Sequence, residues 1–216
     1  MIRIEDFPNG LVDEYNTKAI LRKYSIRTPN GILIRDCNIP DNLPLRYPLV
    51  VKAVSTNLLH KSESGAVILG ISSDSHLKSA LEEICKRFQG GSILVEEMIR
   101  GNFEAIIGVK RSHSFGHVMM LGSGGIFAEI FGDVSFRTVD LSKSDISEMM
   151  NEVSLGKFLG GYRGIKISKE KIVEALYSVA NLIKTEGELI ESLDINPLIL
   201  SENDAIAVDA KIVVSK

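Results

Sequence analysis

Several residue types and patterns are scarce in this sequence, and each scarcity excludes a class of protein. There is no tryptophan, and the two cysteines, Cys37 and Cys85, form no CxxC pair. Two isolated cysteines are too few for a disulfide framework, so we expect none and a reducing compartment. No apolar run reaches the length of a membrane span, and the N-terminus lacks the apolar core of a signal peptide. The predicted location is therefore cytoplasmic.

Positive charge is also limited. The 216 residues include 25 Lys and Arg against 28 Asp and Glu, which gives a formal net charge of −3. Proteins that bind nucleic acids or membrane surfaces usually carry a basic patch, so neither partner is predicted. His60, His76, His113 and His117 have neither a tight ligand spacing nor cysteine partners, which argues against zinc. The hydrophobic fraction of 44% is ordinary for a soluble globular chain.

The apolar periodicity predicts a chain of mixed helices and strands. Apolar residues recur every three or four positions in four segments, which predicts helices over residues 11–24, 73–88, 142–153 and 169–186. Short apolar runs between turns predict strands, and those in residues 92–130 are expected to form a mostly antiparallel sheet. The predicted strands are GILI, PLVVKA, AVILGI, SILVEEMI, EAIIGV, HVMMLG, IFAEI, LIESLDINPLIL and AIAVDAKIVV.

A seam is expected near residues 96–101, where one α+β unit ends and another begins. We therefore predict two lobes, residues 1–97 and 98–216, with a cleft between them. Clefts between lobes commonly bind ligands.

The stretch LVVKAVSTNLLHKSESGAVILGI places one lysine, Lys52, in an apolar strand. A lysine is expensive to bury unless it is paired or faces a cleft, so Lys52 alone fits a strand residue that reaches solvent. The following loop adds His60, Lys61, Ser62 and Gly65, and such a loop can surround phosphate oxygens with N–H groups and cations. The GxxxxGK[ST] pattern is absent and no helix follows directly, so this is not a Walker-type loop.

A second motif, LVEEMIRGNFE, contains two adjacent carboxylates. On a strand Glu96 and Glu97 point to opposite faces. The simplest interpretation is two charges at a strand end. The alternative is an adenine-binding hinge, in which the backbone of Met98 and Ile99 meets the base edge. Glu96 or Glu104 would then accept a hydrogen bond from the amino group or the ribose hydroxyls.

The stretch LGSGGIFAEIFGDVSFR is rich in glycine. Gly122, Gly124 and Gly125 are expected in a tight turn after an apolar run, because glycine permits close backbone approach and positive φ. The simplest interpretation is a hairpin, with Glu129 inside the next apolar strand. Arg137 follows another apolar run, and near such a turn it could hold phosphoryl oxygens or a carboxylate bidentately.

The C-terminal motifs SLDINPL and AVDAKI carry three oxygen ligands. Asp194 and Asn196 are two residues apart and share one face of a strand, while Asp209 lies on the neighbouring strand. Hard oxygen ligands suit Mg²⁺, which keeps waters or phosphates for its other positions. Asn-Pro is also a common turn initiator, so turn chemistry explains these residues equally well on their own.

Taken in order, these motifs resemble the ATP-grasp fold, and more closely the β subunit of ADP-forming acyl-CoA (acetyl-CoA) synthetases, relatives of succinyl-CoA synthetase. The resemblance covers nearly the whole chain. It rests on VVKAVS…HKSESGAV, LVEEMIRGNFEAIIGVKR, GSGGIFAEIFGDVSFR, GYRG and LDINPL…AVDAKI. It implies an α+β ATP-grasp fold, with two α+β lobes and the nucleotide in the cleft between them. Ala66 replaces a glycine usual in the family, and Glu63 replaces a frequent aspartate.

The resemblance implies a site for ATP or ADP. Lys52 matches the lysine that neutralises the nucleotide phosphates, and Glu96 and Glu104, with the Met98–Ile99 backbone, match the adenosine pocket. The residues so predicted to bind the nucleotide are Lys52, Lys61, Ser62, Gly65, Glu96, Glu97, Met98, Ile99, Glu104, Gly124 and Gly125.

The resemblance also implies Mg²⁺ and phosphoryl transfer. Asn196 and Asp209 match the metal ligands, and Asp194 takes the neighbouring acidic place, where it would face a phosphohistidine. His60 matches a second phosphohistidine carried by the β subunit, and neutral imidazole is a competent nucleophile near pH 7. Arg137, with the glycine-rich turn, would help hold the transferred phosphoryl group.

A partner chain is implied as well. In this family one subunit holds CoA and the acyl site while the other grasps the nucleotide, and this chain has no GxGxxG. It is therefore expected to be the nucleotide half of an ADP-forming acyl-CoA synthetase, inactive without an α subunit, in an α2β2 or higher assembly. The alternatives are a stand-alone ATP-grasp carboxylate–amine ligase, which needs an acceptor lobe and no His60, and a non-catalytic nucleotide-sensing module.

Overall fold

The computed structural model describes residues 2–35, 37, 40, 42–54, 65–88 and 91–216. The predicted site residues His60, Lys61 and Ser62 lie outside the described residues. The chain divides into two compact units, a small unit of Pro29–Ile99 and a large unit of Met1–Thr28 with Arg100–Lys216. No helix in the described part of the chain combines the length and apolar character needed to cross a bilayer.

The described residues form eleven strands and five α-helices. The strands are β1 (Gly10–Val12), β2 (Gly31–Ile34), β3 (Leu49–Val54), β4 (Val67–Ile71), β5 (Ser92–Glu97), β6 (Phe103–Ser112), β7 (Gly116–Ser123), β8 (Val134–Thr138), β9 (Ile190–Leu200), β10 (Ala205–Ala207) and β11 (Ala210–Val214). The helices are α1 (Glu14–Lys23), α2 (Asp74–Arg87), α3 (Ile126–Phe131), α4 (Lys143–Glu152) and α5 (Lys169–Glu186).

The small unit is an antiparallel sheet in the order β2–β5–β3–β4, packed against α2. Ser73 caps α2, because its hydroxyl accepts a hydrogen bond from the His76 N–H. Leu77, Leu81 and Ile84 recur at helical spacing, and all three are buried in the small-unit core. This amphipathic pattern fixes which side of α2 meets the sheet.

The large unit is an antiparallel sheet in the order β1–β11–β9–β6–β7–β8, with β10 also paired to β9. The prediction of one mostly antiparallel sheet in residues 92–130 is confirmed only in part. EAIIGV and HVMMLG pair antiparallel as β6 and β7, but SILVEEMI forms β5 of the small-unit sheet. The core of the large unit includes Ile107 and Met119 from the sheet, Met149 from α4 and Val179 from α5. Because side chains alternate along a strand, each strand also presents a second face that points away from this core. We call that second face the open face.

A β-bulge interrupts the pairing of β6 with β9. Ala105 lies opposite Leu198 and Ile107 opposite Ile195, so β9 has one residue more than β6 over this stretch. The extra residue lies at Asn196–Pro197. Bulges often re-aim a side chain at a functional edge, and Asn196 is exposed beside the buried Ile195.

The predicted strand IFAEI is wrong, because these residues lie in α3. The glycine turn ends β7 at Ser123, and β8 rather than IFAEI takes the next place in the sheet, with Met119 opposite Arg137. An apolar run of five residues does not distinguish a strand from a helix by periodicity. Glu129 is therefore in a helix, and the hairpin interpretation of the glycine turn is wrong as well.

The first helix is shorter than predicted. It begins after Asp13, whose side chain accepts a hydrogen bond from the Asn16 N–H, while Gly10–Val12 form β1. Since β1 pairs with β11, the first 28 residues belong to the large unit. The observed units therefore differ from a simple division at 97/98, although the second boundary, 99/100, lies close to the predicted seam.

Cys37 and Cys85 form a disulfide, which corrects the expectation that there would be none. Cys85 lies on α2 and Cys37 between β2 and β3, and both pack against the small-unit core with their Cα atoms 6.0 Å apart. The sequence separation of 48 residues carried no local signal, because tertiary packing brings the two segments together. The cysteine content thus gives no basis for inferring a reducing compartment.

Candidate functional site

Lys52 is buried in the small-unit sheet and is ion-paired. All six residues of β3 are buried, and the Lys52 Nζ lies 3.1 Å from Glu96 Oε2 on β5. Lys52 lies opposite Leu94, two residues before Glu96, so the pair shares one face of the sheet. Burial of an unpaired ammonium would be prohibitive, and Glu96 offsets that cost. Lys52 is therefore a buried cation held in place by Glu96, rather than a strand residue that reaches solvent.

Gly31 provides the space that Glu96 occupies. It lies opposite Glu96 in the β2–β5 ladder, and a Cβ on Gly31 would come within 2.7 Å of Glu96 Cγ. A larger residue would therefore displace the carboxylate that holds Lys52. The sequence reasoning missed Gly31, although a glycine at the start of a strand is a recognisable sign of close approach.

Two residues of the predicted hinge, Glu97 and Met98, form hydrogen bonds within the small unit. Glu97 points away from Lys52 and accepts hydrogen bonds from Asn30 Nδ2 at 3.1 Å and the Arg46 N–H at 3.0 Å. The Met98 N–H donates to the Pro48 carbonyl at 2.8 Å. A base edge at this hinge would therefore meet the Met98 carbonyl or Ile99 rather than the Met98 N–H.

Gly65 is the described part of the predicted phosphate loop. Its backbone has φ +67°, in the left-handed region that favours glycine. Its carbonyl accepts a hydrogen bond from Arg87 Nη1 at 3.2 Å, near the end of α2. The end of α2 therefore holds the backbone at Gly65.

In the large unit, the structure brings Asn196 and Asp209 together. The Asn196 N–H donates to the Asp209 carbonyl at 3.1 Å, where β10 gives way to β11. Asp194 lies two residues earlier on β9, opposite Lys211. Burial raises the pKa of the Asp194 carboxyl, and the neighbouring Lys211 opposes that rise. Asp194 and Asn196 thus lie on β9, whereas Asp209 lies in the bend between β10 and β11, beside Asn196, rather than on a strand as predicted.

The donor set at this stretch fits Mg²⁺. Asn196 offers an amide oxygen, and Asp194 and Asp209 offer carboxylates, all hard ligands. Across the described ranges, no group of three His, Cys, Asp or Glu residues is placed to hold a metal. Mg²⁺ sites commonly use only one or two carboxylates, with phosphates and waters completing the octahedron. An amide and one or two carboxylates are thus a sufficient protein contribution.

Glu104 lies directly beneath the glycine turn. The Gly124 N–H donates to the Glu104 carbonyl at 2.6 Å, and a Cβ on Gly124 would lie 2.7 Å from Glu104 Cβ. Only glycine permits this approach. Gly125 has φ +62°, whereas Gly122 lies within β7 opposite Ile106. The turn therefore consists of Gly124 and Gly125, and it lies beside Glu104.

Arg137 is not brought to the open face. It lies opposite the core residue Met119, and its guanidinium contacts α4. The guanidinium nitrogens lie 2.6 Å from Glu152, 3.2 Å from Glu148 and 3.8 Å from Asp145. Three carboxylates thus already surround the cation, and its predicted phosphoryl contact stays a prediction.

Phe136, the neighbour of Arg137 on β8, lies on the open face. Phe136 lies opposite Met120, Met120 opposite Gly108, and Gly108 opposite Asp194, in a row that ends at Lys211 on β11. The Phe136 side chain is 55% exposed. The alternation in VSFRT was the available signal, but the sequence alone did not reveal which residues face which side.

The Arg137 cluster predicts a specific acid response. Hydrogen bonds from Arg137, and next from Ser135, lower the pKa of Glu152 below its ordinary value of 4.5. A carboxyl with a lowered pKa in the folded state stabilises the protein above its unfolded pKa and loses that effect as pH falls. We expect Arg137→Met to lower the Tm at pH 7, with the difference from wild type shrinking as pH falls below 4.5.

The measurement is the melting temperature by circular dichroism at several pH values from neutral to acid. Lys171→Met is the matched control, because Lys171 pairs with Glu174 in an exposed i,i+3 pair. Such surface pairs contribute little, so we expect its Tm to follow wild type throughout. A deficit in Arg137→Met that stays constant into the acid range would contradict the ion-pair explanation.

Comparison with known proteins finds one matching family model and several similar sequences. A model of the ATP-grasp domain matches residues 5–214. The chain is 32% identical over 212 residues to the β subunit of ADP-forming acetate–CoA ligase II of Pyrococcus furiosus, covering 93% of this chain and 90% of that subunit. It is 32% identical over 208 residues to ADP-forming acetate–CoA ligase II of Archaeoglobus fulgidus, covering 95% of this chain and 31% of the relative. The chain thus spans most of a separate subunit and about a third of a longer protein.

Solved structures of a related synthetase have the same fold as this chain. The dinucleotide-forming acetyl-coenzyme A synthetase 1 of Ca. Korarchaeum cryptofilum, in complex with coenzyme A, Ca-AMPCP and HgCl⁺, superposes with a TM-score of 0.87 and 33% identity, covering 98% of this chain and 96% of that one. A second structure of the same synthetase contains coenzyme A and Mg-AMPPCP, with its phosphohistidine segment pointing towards the nucleotide binding site. It superposes with a TM-score of 0.80 and 35% sequence identity, covering 94% of this chain and 92% of that one.

Proposed function

The chain belongs to the ATP-grasp family, and from this premise we propose that it is the nucleotide-binding part of an ADP-forming acyl-CoA synthetase. Its relatives are ADP-forming acetate–CoA ligases, which supports a ligase with a nucleotide site. The proposed reaction is acyl-CoA + ADP + phosphate ⇌ acid + CoA + ATP. A thioester is exchanged for a phosphoanhydride, so the reaction is expected to be reversible.

The observation that carries the proposal is the held ammonium of Lys52. Its Nζ lies 3.1 Å from Glu96 within an apolar sheet, and Gly31 leaves room for that carboxylate. A fixed, desolvated ammonium forms strong charge-assisted hydrogen bonds to phosphate oxygens. Lys52 would bind the nucleotide phosphates, and Glu96 would keep the cation in place and offer an acceptor to the adenosine.

The large unit would supply the metal ligands and the glycine turn. Asn196 and Asp209 would hold Mg²⁺, with Asp194 beside them, and the ion would offset phosphate charge when bound. The Gly124 N–H is donated to the Glu104 carbonyl, so in this proposal the turn would offer the Gly125 N–H to a phosphate oxygen.

Phosphoryl transfer would use His60. In the proposed step a neutral ring nitrogen of His60 bonds to the γ-phosphorus of ATP, and the bond from phosphorus to the bridging oxygen of ADP breaks. The ring N–H proton then passes to solvent, and the reverse step regenerates ATP. Lys61 would offset charge during transfer. This step rests on the sequence motif, and the Korarchaeum synthetase with its phosphohistidine segment supports it by analogy.

The proposed partner carries the CoA site and the acyl site. One relative is a separate β subunit of nearly this length, and another is a longer single chain. We propose that this chain works with an α subunit, in an α2β2 or higher assembly within the cytoplasm.

Labelling with γ-³²P-ATP tests the proposal. The purified chain is incubated with Mg²⁺ and labelled ATP, alone and with a candidate α subunit. We expect acid-labile, base-stable label on wild type, because phosphohistidine has that stability. The label should disappear in His60→Ala.

His113→Ala is the matched control, since His113 lies in the exposed turn between β6 and β7, and its label should remain. ATP binding without any label on this chain, with or without the partner, would refute the phosphohistidine step. Absence of ATP binding itself would refute the nucleotide-binding function.

A further inference from the structure

A buried ion pair on α1 reaches the predicted metal ligands. Glu14 and Lys18 lie one helical turn apart, with Lys18 Nζ 2.8 Å from Glu14 Oε1, and both side chains are 1% exposed. The same ammonium donates to the backbone carbonyl of Val208 at 2.7 Å. Val208 immediately precedes Asp209. The ion pair therefore contacts the peptide group that carries a proposed Mg²⁺ ligand.

The segment around Val208 is held from several sides. The Ala207 N–H donates to the Arg27 carbonyl at 2.9 Å, and the Val208 N–H donates to the Pro197 carbonyl at 3.2 Å. The Asp209 carbonyl accepts from the Asn196 N–H at 3.1 Å. The bond from Lys18 fixes the carbonyl of the Val208–Asp209 peptide, and with it the plane from which the Asp209 side chain departs.

Stability alone is a weak reason for such a pair. Removing two charges from water is expensive, and well-packed apolar residues often replace a buried ion pair without loss. Glu14 and Lys18 instead fix the orientation of the Val208 carbonyl, because a charge-assisted hydrogen bond to one carbonyl is short and specific. The orientation of Asp209 matters, since metal affinity depends on correctly oriented ligands.

We propose that Glu14 and Lys18 are positioning residues for Asp209 as a metal ligand, an inference that rests on the proposed function. Lys18 holds the Val208–Asp209 peptide, and Glu14 holds the Lys18 ammonium. Neither side chain touches metal or nucleotide in this proposal. Their loss should weaken metal binding more than it weakens nucleotide binding without metal.

The test uses the full chain with the double variant Glu14→Gln/Lys18→Met, which removes both charges and keeps similar volumes. Mn²⁺ serves as the probe, because it accepts the same oxygen ligands and its free form is measured by electron paramagnetic resonance. With saturating ADP, we expect Mn²⁺ affinity to fall about 10- to 100-fold, the range for residues that orient metal ligands. ADP affinity in EDTA should stay close to that of wild type.

Ile20→Ala is the matched control, since Ile20 is a buried core residue on the same helix and carries no charge. It should lower the melting temperature yet leave the Mn²⁺ affinity of the folded protein unchanged. If the double variant does not fold, Glu14→Asp replaces it. Aspartate keeps the charge but draws the ammonium back from Val208, so a smaller loss confined to Mn²⁺ binding is expected.

The outcomes separate this inference from the function on which it rests. A loss of Mn²⁺ affinity without a matching loss of ADP affinity in EDTA supports it. Equal losses of both, or a lower melting temperature with wild-type Mn²⁺ affinity, overturn the positioning role and leave the proposed function intact. Wild type that binds no ADP in either condition overturns the proposed function and this inference together.

Discussion

Lys52→Met is expected to lower the free energy of unfolding by about 3–5 kcal/mol, because it leaves the Glu96 carboxylate buried without its cation. The same change should weaken binding of ATP and ADP about 10- to 100-fold, the worth of a hydrogen bond to a charged phosphate. Urea unfolding measures the first quantity, and isothermal titration calorimetry measures the second.

The double variant Lys52→Met/Glu96→Gln separates the two effects. Its glutamine carries no charge, so most of the lost stability should return. Nucleotide affinity should stay low, because the ammonium is still absent. Full recovery of nucleotide affinity in the double variant would show that Lys52 supports the fold rather than the phosphates.

Gly124→Ala is expected to lower the free energy of unfolding by about 3 kcal/mol, at the upper end of the cost of overpacking. The new Cβ would lie 2.7 Å from Glu104 Cβ and 2.8 Å from its carbonyl carbon and oxygen. Since backbone atoms cannot rotate aside, β6 and the turn must separate. The 2.6 Å bond from the Gly124 N–H to Glu104 would lengthen, and ADP affinity should fall with the displacement of Glu104. Urea unfolding and calorimetry measure both effects.

Gly132→Ala is the control for this prediction. Gly132 also has positive φ, at +61°, but a Cβ there would meet no atom within 4 Å. Its cost is therefore limited to the left-handed conformation, about 1–2 kcal/mol, and ADP affinity should not change. Equal effects of the two variants on ADP affinity would show that contact with Glu104 is not the cause.

Much of the fold followed from local patterns. The helix over residues 169–186 has the predicted bounds, because apolar residues recur along it at helical spacing and Ser168 caps it. The family was also predicted correctly, and so was antiparallel strand pairing, although SILVEEMI belongs to the small-unit sheet. The adjacent Glu96 and Glu97 face opposite ways, as strand alternation requires.

The errors concern features that only tertiary structure decides. IFAEI is too short for periodicity to assign, and its helix follows from β8 taking the place beside β7. Cys37 and Cys85 meet because α2 packs on the sheet, which their spacing does not reveal. Tertiary structure also decides that Arg137 faces α4 and Phe136 the open face, while the predicted phosphoryl contact of Arg137 stays a prediction.

The pairing of β1 with β11 also determines which unit can complete its sheet first during synthesis on the ribosome. Gly10 lies opposite Val214, so the strand made first must wait for a partner synthesised about 200 residues later. The small unit has all its paired strands within Pro29–Ile99 and is an uninterrupted segment of the chain. A nascent chain thus holds every strand of the inserted unit long before the surrounding unit can close its sheet, and domains generally fold as units during synthesis. The segment that carries Lys52 and Glu96 is therefore complete while Asn196 and Asp209 are still untranslated.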